Sequence, residues 1–350
     1  MDLSFYKNKR IFITGHTGFK GSWLCRILSM ADASVTGYAL APEDVENLFE
    51  ISNVKDCLHS SIIGDVRDYE SLNMALQEAN PEIVFHLAAQ PLVRESYRNP
   101  RYTYETNVMG TVNILEAIRK TSIPPKSVVI ITTDKVYYNH EWDWGYREID
   151  SLDGYDPYSN SKSCAELVTA SYVRSFFDNS EVAVSTCRAG NVIGGGDFSS
   201  DRILPDCMRA AISGQTIQVR NPYSIRPYQH VLEPLFAYLL IAQKQFENVK
   251  TAGCYNVGPE DSDCVATSTL VDLFCKKLGN GLAWENLYID GPHEAGFLKL
   301  DCSKLKSILD WKPKWNIETA ISKTVEWIRV YQSNGDIMKI MNEQIDDFLS

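Results

Sequence analysis

The sequence predicts an α/β protein with a Rossmann-type, doubly wound parallel sheet and a smaller, intertwined C-terminal region. Two observations support this fold class. From residue 10 to residue 187, short apolar runs of strand length alternate with segments of helical spacing, as in a parallel sheet covered by helices. The first of these runs leads into a glycine-rich turn that opens a helix, which is how such sheets begin.

The elements follow in order along the chain. The predicted strands span residues 10–14, 33–38, 61–65, 82–88, 126–132 and 182–187. Helical periodicity covers residues 22–30, 68–79, 106–120 and 158–177. Beyond Asn191, loops rich in Pro, Gly and Arg alternate with helices such as 204–213 and 232–245. We therefore expect residues 1–190 to form a nucleotide-binding Rossmann domain, and residues 191–350 to form mainly a substrate-binding region interleaved with it.

Composition excludes several classes of function. The formal net charge of −11 argues against nucleic-acid binding and a polybasic membrane anchor, so a local Arg and Lys cluster must hold any anionic substrate. Nine scattered Cys without C-x-x-C spacing indicate reduced thiols and a cytoplasmic protein, and six dispersed His show no metal-ligand spacing. The chain begins without a signal-peptide pattern, and no apolar run approaches the ~20 residues that span a bilayer.

The glycine-rich turn after the first strand has the spacing G-x-x-G-x-x-G. Its glycines let the backbone approach a pyrophosphate, whose charge is favoured at the N-terminus of the following helix. A dinucleotide is expected to contact the whole turn, namely Gly15, His16, Thr17, Gly18, Phe19, Lys20 and Gly21. The second strand ends at residues 37–39 with neither an acid for a ribose hydroxyl nor an Arg for a 2′-phosphate. The missing Arg favours NAD over NADP, and the missing acid indicates modest affinity.

Further cofactor contacts are expected where the third and fourth strands end. Asp65, at the end of the third strand, is placed either to meet the adenine or to cap a turn. The remaining predicted cofactor-binding residues are Val66, Leu87, Ala88, Ala89 and Asn107. His86 lies on the fourth strand and is expected to be a packed strand residue rather than a catalyst.

Tyr158 and Lys162 are the strongest catalytic candidates. A spacing of four places the phenol and the ammonium on one helix face, one turn apart. A nearby ammonium favours the phenolate, so we expect a lowered pKa for Tyr158 and a role as a base. Lys162 is also expected to hold the nicotinamide ribose. Thr133 and Asp134, at the end of the fifth strand, add a hydroxyl and a carboxyl whose pKa burial would raise, which suits an acid.

Several blocks of sequence resemble the CDP-glucose 4,6-dehydratases of the extended short-chain dehydrogenase/reductase superfamily. The resemblance runs in order from about residue 5 to residue 330, and its blocks are residues 14–23, 133–137, 154–162, 188–197, 224–234 and 293–304. Thr133 departs from the family pattern, which usually has Ser there, but it keeps the hydroxyl.

The resemblance implies a defined reaction. CDP-glucose becomes CDP-4-keto-6-deoxyglucose, and NAD+ is transiently reduced. Tyr158 takes the proton of the position-4 hydroxyl, Thr133 hydrogen-bonds that oxygen, and Asp134 protonates the departing position-6 hydroxyl. Lys135 stands where most nucleotide-sugar 4,6-dehydratases have Glu. It is either the base for carbon 5, which requires a depressed pKa, or a cation that stabilises the enolate.

Substrate contacts are expected from both halves of the chain. Three arginines are candidates for bidentate contacts to the nucleotide diphosphate: Arg202, Arg220 and Arg226. Further predicted substrate-binding residues are Gln90, Arg94, Asn191 and His293. Asn191 is equally compatible with a turn, and His293 with a solvated loop.

The family resemblance also carries expectations about assembly and pathway. The helices at 106–120 and 158–177 resemble the pair that forms a dimer interface in this superfamily, so a homodimer or a dimer of dimers is expected. The implied pathway is 3,6-dideoxyhexose synthesis for a lipopolysaccharide O-antigen. The alternatives are another nucleotide-sugar dehydratase, a 4-epimerase, or a non-catalytic NAD-binding sensor. An epimerase needs no acid–base pair for losing water, so Asp134 and Lys135 favour a dehydratase. A sensor would be expected to lack Tyr158 or Lys162.

Overall fold

A seven-stranded, fully parallel sheet forms the centre of the molecule. The computed structural model describes residues 2–42, 46–279, 281–287 and 296–350. The strands of this sheet are β1 (Arg10–Thr14), β2 (Ser34–Ala39), β3 (Ser60–Ile63), β4 (Ile83–His86), β5 (Ser127–Thr133), β6 (Ala183–Ala189) and β11 (Cys254–Val257). They are arranged in the order β3-β2-β1-β4-β5-β6-β11, and every neighbouring pair is parallel. The predicted fold class is confirmed.

Within the described ranges, six short strands lie outside the central sheet. They are β7 (Val192–Ile193), β8 (Ile217–Val219), β9 (Ile225–Pro227), β10 (Gln229–His230), β12 (Cys264–Ala266) and β13 (Trp284–Asn286). They form three two-stranded pairs: β7 with β10, β9 with β12, and β8 with β13. All of them come from the C-terminal half of the chain, where the sequence indicated loops and helices.

The helices connect and cover the strands. They are α1 (Phe19–Met30), α2 (Leu48–Ile51), α3 (Tyr69–Ala79), α4 (Val93–Arg98), α5 (Pro100–Tyr104), α6 (Gly110–Lys120), α7 (Pro157–Tyr172), α8 (Ile203–Ser213), α9 (Leu232–Glu247), α10 (Thr267–Leu278), α11 (Ser303–Leu309), α12 (Ile317–Gln332) and α13 (Ile337–Leu349). Asp156 caps α7 by accepting the N–H of Ser159, and Pro157 occupies its first turn. None of the helices in the described ranges has the length and apolar character needed to cross a bilayer.

The sheet is buried on both faces, which explains its almost continuous apolar strands. On one face Phe12, Val84 and Val128 pack with residues of α3 and α6. On the other face their neighbours Ile11 and Ile83 join a larger core with α1, α9 and α12. Successive residues of a strand point to opposite faces, so each strand contributes to both cores.

Several element ends differ from the sequence prediction, and one strand was not predicted. The third strand ends at Ile63 rather than at residue 65, although the Gly64 N–H still donates to the Ala39 carbonyl. The fourth strand ends at His86 rather than at residue 88, and helix α7 ends at Tyr172 rather than at residue 177. The seventh strand, β11, was not predicted, because four residues in a region of loops and helices give a weak periodic signal. Cys254 pairs with Thr186 of β6, so the C-terminal half completes the central sheet.

Candidate active site

A cleft of about 1490 Å³ opens at the carboxyl ends of the parallel strands. The strand order reverses between β1 and β4, and ligands of open α/β sheets bind at such a point. The cleft is larger than the roughly 300–1,000 Å³ of a site for one small ligand. Its walls come from the glycine turn, the ends of β3, β4 and β5, helix α7 and loops beyond residue 190.

The glycine turn packs closely against the residues that follow β4 and against itself. Gly15 has φ +79°, and a side chain there would bring its Cβ within 2.7 Å of the Ala88 nitrogen. At Gly21 a Cβ would lie 2.1 Å from the Gly15 carbonyl oxygen. Gly18 is the N-cap of α1 and offers no side chain, so the first N–H groups of the helix face the cleft. This is the geometry that binds a pyrophosphate at a helix N-terminus.

The structure brings most of the predicted cofactor residues to the cleft wall. Those that line it are Gly15, Thr17, Gly18, Phe19, Lys20, Gly21, Asp65, Val66, Leu87, Ala88 and Ala89. His16 and Asn107 are buried behind the wall instead. The His16 ring lies against Gly37 and its Nε2 is 2.8 Å from the Ser61 hydroxyl. Asn107 donates to the Gln90 carbonyl and accepts from the Gln90 amide, so it supports the end of β4.

Two carboxylates lie where the adenine of a dinucleotide is expected, and neither is a simple acid at the end of β2. The Asp65 carboxylate accepts the Arg67 N–H at 2.9 Å and pairs with its guanidinium, which is the turn-capping arrangement. Glu46, which the sequence analysis did not select, lines the cleft beyond the end of β2. Its carboxylate accepts a hydrogen bond from Tyr331, whose pKa burial and this contact raise to about 12. Glu46 is not adjacent to the end of β2 at Ala39, so the strand pattern gave no signal for it.

Thr133, Asp134 and Lys135 lie together where β5 ends. The Thr133 hydroxyl donates to Asp134 Oδ1 at 3.0 Å, and Lys135 Nζ is 3.6 Å from the same oxygen. Lys135 Nζ is also 3.5 Å from the Asn191 side-chain oxygen. Asp134 is 1% exposed, and its Oδ2 has no hydrogen-bond partner in the described residues. A buried carboxyl oxygen without a partner, facing a cleft, is suited to a ligand hydroxyl.

Helix α7 presents Tyr158 and Lys162 to this cluster. Burial raises the pKa of Tyr158 to about 12, against the opposing effects of a hydrogen bond with Thr133 and the charge of Arg202. The expectation of a lowered Tyr158 pKa is therefore wrong for the protein alone. Lys162 Nζ donates to the Ile131 carbonyl at 3.0 Å, and burial lowers its pKa to about 8. Desolvation of the phenolate thus outweighs the contact with Thr133 and the charge of Arg202.

Four arginines line the outer part of the cleft. Arg202 is 3.0 Å from Asp197, and Asp201 lies 2.6 Å from Arg220 and 3.7 Å from Arg94. The fourth, Arg226, is buried on β9 and donates to the Ile225 carbonyl. The carboxylates of this cluster were not selected from the sequence, because their partners are distant along the chain.

The remaining predicted residues take varied positions. Gln90 lines the cleft, but its side chain bonds Leu92 and Thr103. His293 lies outside the described residues. His86 is buried with Nδ1 2.8 Å from the Thr14 hydroxyl, and burial lowers its pKa to about 3, as for a packed strand residue. Within the described ranges, no group of three or more His, Cys, Asp or Glu side chains could hold a metal ion.

Solved structures share this fold at low sequence identity. A dTDP-glucose 4,6-dehydratase from Bacillus anthracis, in complex with NAD, has a TM-score of 0.77 at 22% identity. It covers 95% of this chain and 99% of its own. A UDP-glucose 4-epimerase from Thermotoga maritima has a TM-score of 0.80 at 22% identity, covering 92% of this chain and 99% of its own. These likenesses establish the architecture.

Sequence comparison identifies the family. A dTDP-D-glucose 4,6-dehydratase of Mus musculus is 27% identical, covering 92% of this chain and 89% of its own. A CDP-glucose 4,6-dehydratase of Salmonella typhimurium is 46% identical over 359 residues, covering 100% of this chain and 99% of its own. The family model described as GDP-mannose 4,6 dehydratase matches residues 12–324. The chain therefore belongs to the GDP-mannose 4,6 dehydratase family, within the extended short-chain dehydrogenases/reductases.

Proposed function

We propose that this protein is an NAD-dependent CDP-glucose 4,6-dehydratase, which converts CDP-D-glucose to CDP-4-keto-6-deoxyglucose with loss of water. The observation that carries the proposal is the 46% identity over the full chain with the Salmonella typhimurium CDP-glucose 4,6-dehydratase. The geometry agrees with that chemistry, because one cleft brings a Thr-Asp-Lys cluster to a Tyr-Lys pair.

NAD is the cofactor, and the residues present fit it. Gly15 and Gly21 allow the turn to fold tightly on the protein backbone, and the space beside Gly18 lies at the N-terminus of α1, where the charge of a pyrophosphate is favoured. The cleft continues from this turn past Asp65 and Ala88 to Lys162. When bound, NAD+ would accept the hydride from carbon 4 of the sugar, and its reduced form would return that hydride to carbon 6. The cleft volume is sufficient for the dinucleotide together with a nucleotide sugar.

Tyr158 and Thr133 are assigned to the position-4 hydroxyl. Their side chains lie close enough to influence each other, so one sugar oxygen can be held by both. Tyr158 removes the hydroxyl proton as carbon 4 is oxidised, and Lys162 supports the phenolate with its ammonium. Burial raises the pKa of Tyr158 to about 12. For Tyr158 to act as a base, the positive charges that surround it once NAD+ is bound must lower that pKa. Arg202 already acts in that direction.

Asp134 and Lys135 are assigned to the loss of water. Asp134 Oδ2 has no partner among the described residues, so it is available to protonate the departing position-6 oxygen. Lys135 is 3.6 Å from Asp134 and half-buried at the cleft wall. From there it removes the carbon-5 proton or stabilises the negative charge that develops next to the ketone.

The outer cleft is assigned to the nucleotide part of the substrate. Arg94, Arg202, Arg220 and Arg226 place four guanidinium groups on one wall of a protein whose net charge is −11. Such groups bind a diphosphate through paired hydrogen bonds. This assignment gives residues 191–350 most of the substrate contacts and residues 1–190 the cofactor and the reacting centre.

The proposal extends to assembly, location and pathway. Large apolar side chains are about half exposed on the helices assigned to a homodimer interface, with values of 49% at Met109, 56% at Leu167 and 52% at Phe176. This exposure supports a dimer or a dimer of dimers. The nine cysteines are free thiols, which supports a cytoplasmic location. The product is a 4-keto-6-deoxy sugar, the type of compound from which 3,6-dideoxyhexoses of a lipopolysaccharide O-antigen are made.

The test is direct conversion of a nucleotide sugar. Purified protein is incubated with NAD+ and, separately, with CDP-, UDP-, GDP- and dTDP-glucose, and the 4-keto product is measured by its absorbance after alkaline treatment. Product from CDP-glucose alone, abolished in Tyr158→Phe while NAD binding persists, is the expected result. If none of the four sugars yields keto product although NAD binds, the dehydratase assignment fails.

A further inference from the structure

A buried carboxylate lies one helical turn beyond Lys162 and has no part in the roles assigned above. Glu166, on α7, has a side chain that is 1% exposed. It accepts hydrogen bonds from the Thr132 hydroxyl at 2.5 Å, the Thr186 hydroxyl at 2.7 Å and the Arg188 guanidinium at 2.8 Å. Thr132 directly precedes the Thr-Asp-Lys cluster on β5. One carboxylate therefore ties the catalytic helix to both β5 and β6.

The network continues from Arg188 to the rim of the cleft. Its second guanidinium nitrogen donates to the Tyr137 hydroxyl at 2.8 Å. Tyr137 lines the cleft and donates in turn to Asn256 at 2.6 Å. The Asn256 amide bonds the carbonyls of Tyr146 at 2.7 Å and Asp301 at 3.0 Å. An unbroken series of buried hydrogen bonds thus joins α7 to the loop that follows β5.

The stability of the fold is a poor explanation for a buried ion pair. Desolvating two charges costs about as much as their attraction returns, and apolar replacements are often neutral or stabilising. The position of Glu166 near Lys162 offers a better explanation. Burial lowers the pKa of Lys162, and the negative charge of Glu166 opposes that lowering.

The other titratable groups that face Lys162 do not replace this carboxylate. Lys20, from α1, is a basic group whose pKa burial lowers to about 7, so it supplies no negative charge to Lys162. His86, from β4, is neutral, since burial lowers its pKa to about 3. Arg188, from β6, pairs with Glu166, and Tyr158 on the same helix has a pKa raised by burial to about 12.

We propose that Glu166 is a positioning residue for the dehydration reaction. It keeps Lys162 charged beside Tyr158 and, through Thr132, fixes the end of β5 that carries Thr133 and Asp134. This inference rests on the proposed function and deepens it, because it explains how an ammonium without a carboxylate of its own stays protonated in a buried site.

The test is the pH profile of Glu166→Gln. Gln keeps an acceptor for the Thr132 hydroxyl but removes the charge. Lys162 must be protonated to act, so activity is lost as pH rises through its pKa. Without Glu166 that pKa falls, and the alkaline limb of kcat/KM for CDP-glucose should move to lower pH by about one unit. Glu166→Asp keeps the carboxylate and should restore much of the limb.

A matched control separates this role from simple stability. Gln245 on α9 is also buried and bonds Ser127, Val128 and Ala183 at the opposite end of β5 and β6. Gln245→Met should lower the unfolding temperature and leave the alkaline limb in place. If Glu166→Gln lowers the unfolding temperature and its limb also stays in place, Glu166 is only structural and the proposal fails.

A double variant and the pH dependence of NADH binding complete the test of Glu166. Glu166→Gln leaves the Arg188 charge buried without its partner, which is strongly destabilising. If that variant does not fold, the double variant Glu166→Gln/Arg188→Met has no unpaired buried charge and should show the same shift. The pH dependence of NADH binding is recorded alongside turnover. If the wild type makes no keto product, the proposed function fails, while an unshifted binding profile in the variants overturns the positioning role.

Discussion

The carboxylate of Asp201 occupies the position where the substrate diphosphate is expected, and removing its charge should tighten substrate binding. It lies 2.6 Å from the Arg220 guanidinium and 3.7 Å from that of Arg94. A diphosphate that binds these arginines has to compete with it. Asp201→Asn is the appropriate change, because Asp201 has φ +60° and Asn tolerates that left-handed backbone while keeping the side-chain shape.

The size of the effect follows from the exposure of the two ion pairs. The side chains of Asp201, Arg220 and Arg94 are 27%, 26% and 24% exposed. Pairs near the surface contribute about 0.2–1 kcal/mol each, so the two together amount to about 1 kcal/mol. Relieving that competition should lower KM for CDP-glucose about fivefold, since 1.4 kcal/mol corresponds to a factor of ten. The reacting centre is unchanged, so kcat should remain close to the wild-type value.

The assay compares KM at low and high ionic strength with a matched control. Asp32 also has a positive φ, of +56°, and pairs with Lys7 at 3.4 Å on the exposed surface outside the cleft. Asp32→Asn should leave KM unchanged. The difference between wild type and Asp201→Asn should shrink with added salt, because salt screens exposed charges. A KM that rises in Asp201→Asn would show that the carboxylate organises the arginines for the substrate, and our reasoning about competition would be refuted.

Three further predictions concern the cofactor turn, water loss and stability. Gly21→Ala should weaken NADH binding more than about tenfold, measured by NADH fluorescence, because its Cβ would lie 2.1 Å from the Gly15 oxygen. Lys135→Met should still oxidise carbon 4 through Tyr158 but lose water slowly, so absorbance of reduced cofactor should accumulate in a single turnover. Burial raises the pKa of Glu233 from 4.5 to about 7. The protonated carboxyl therefore contributes fully to the stability of the fold below pH 4.5, and this contribution is lost as the pH rises through 7. At about pH 8, Glu233→Gln should raise the unfolding temperature, because it removes a buried charge that costs about 3 kcal/mol. At about pH 4 it should not raise the unfolding temperature. An equal change at both pH values would contradict this prediction.

Much of the central sheet could be predicted from local sequence, because strands buried on both faces read as continuous apolar runs. Residues 10–14 and 182–187 show this, as they coincide within two residues with β1 and β6. β11 could not be found in the same way. It has four residues, and Asn256 within it is buried for its hydrogen bonds rather than for apolar packing. Its place in the sheet depends on pairing with a strand that is distant in sequence.

In the candidate site, too, local patterns could be predicted from the sequence and features that depend on the folded molecule could not. The glycine turn and the spacing of Tyr158 and Lys162 are local patterns, so the sequence was sufficient to predict them as parts of one site. Burial is a property of the folded molecule, and it reversed the expected direction of the Tyr158 pKa. Asp201 and Glu166 were not selected at all, because their partners come from other elements and no local spacing marks them.

The contact between Asp134 and Lys135 bears on the two roles that the sequence left open for the lysine. At 3.6 Å the Lys135 ammonium and the Asp134 carboxylate form an ion pair, and a proton of the ammonium lies near the carboxylate but beyond hydrogen-bond distance. Moving that proton from nitrogen to oxygen produces the acid needed at the position-6 hydroxyl and the base needed at carbon 5, with no change in the net charge of the site. A Glu at position 135 would have to share a proton taken from solvent to reach the same state. The base and the stabilising cation would then be successive states of one residue, linked by a transfer for which Lys135 must move closer to Asp134 than 3.6 Å.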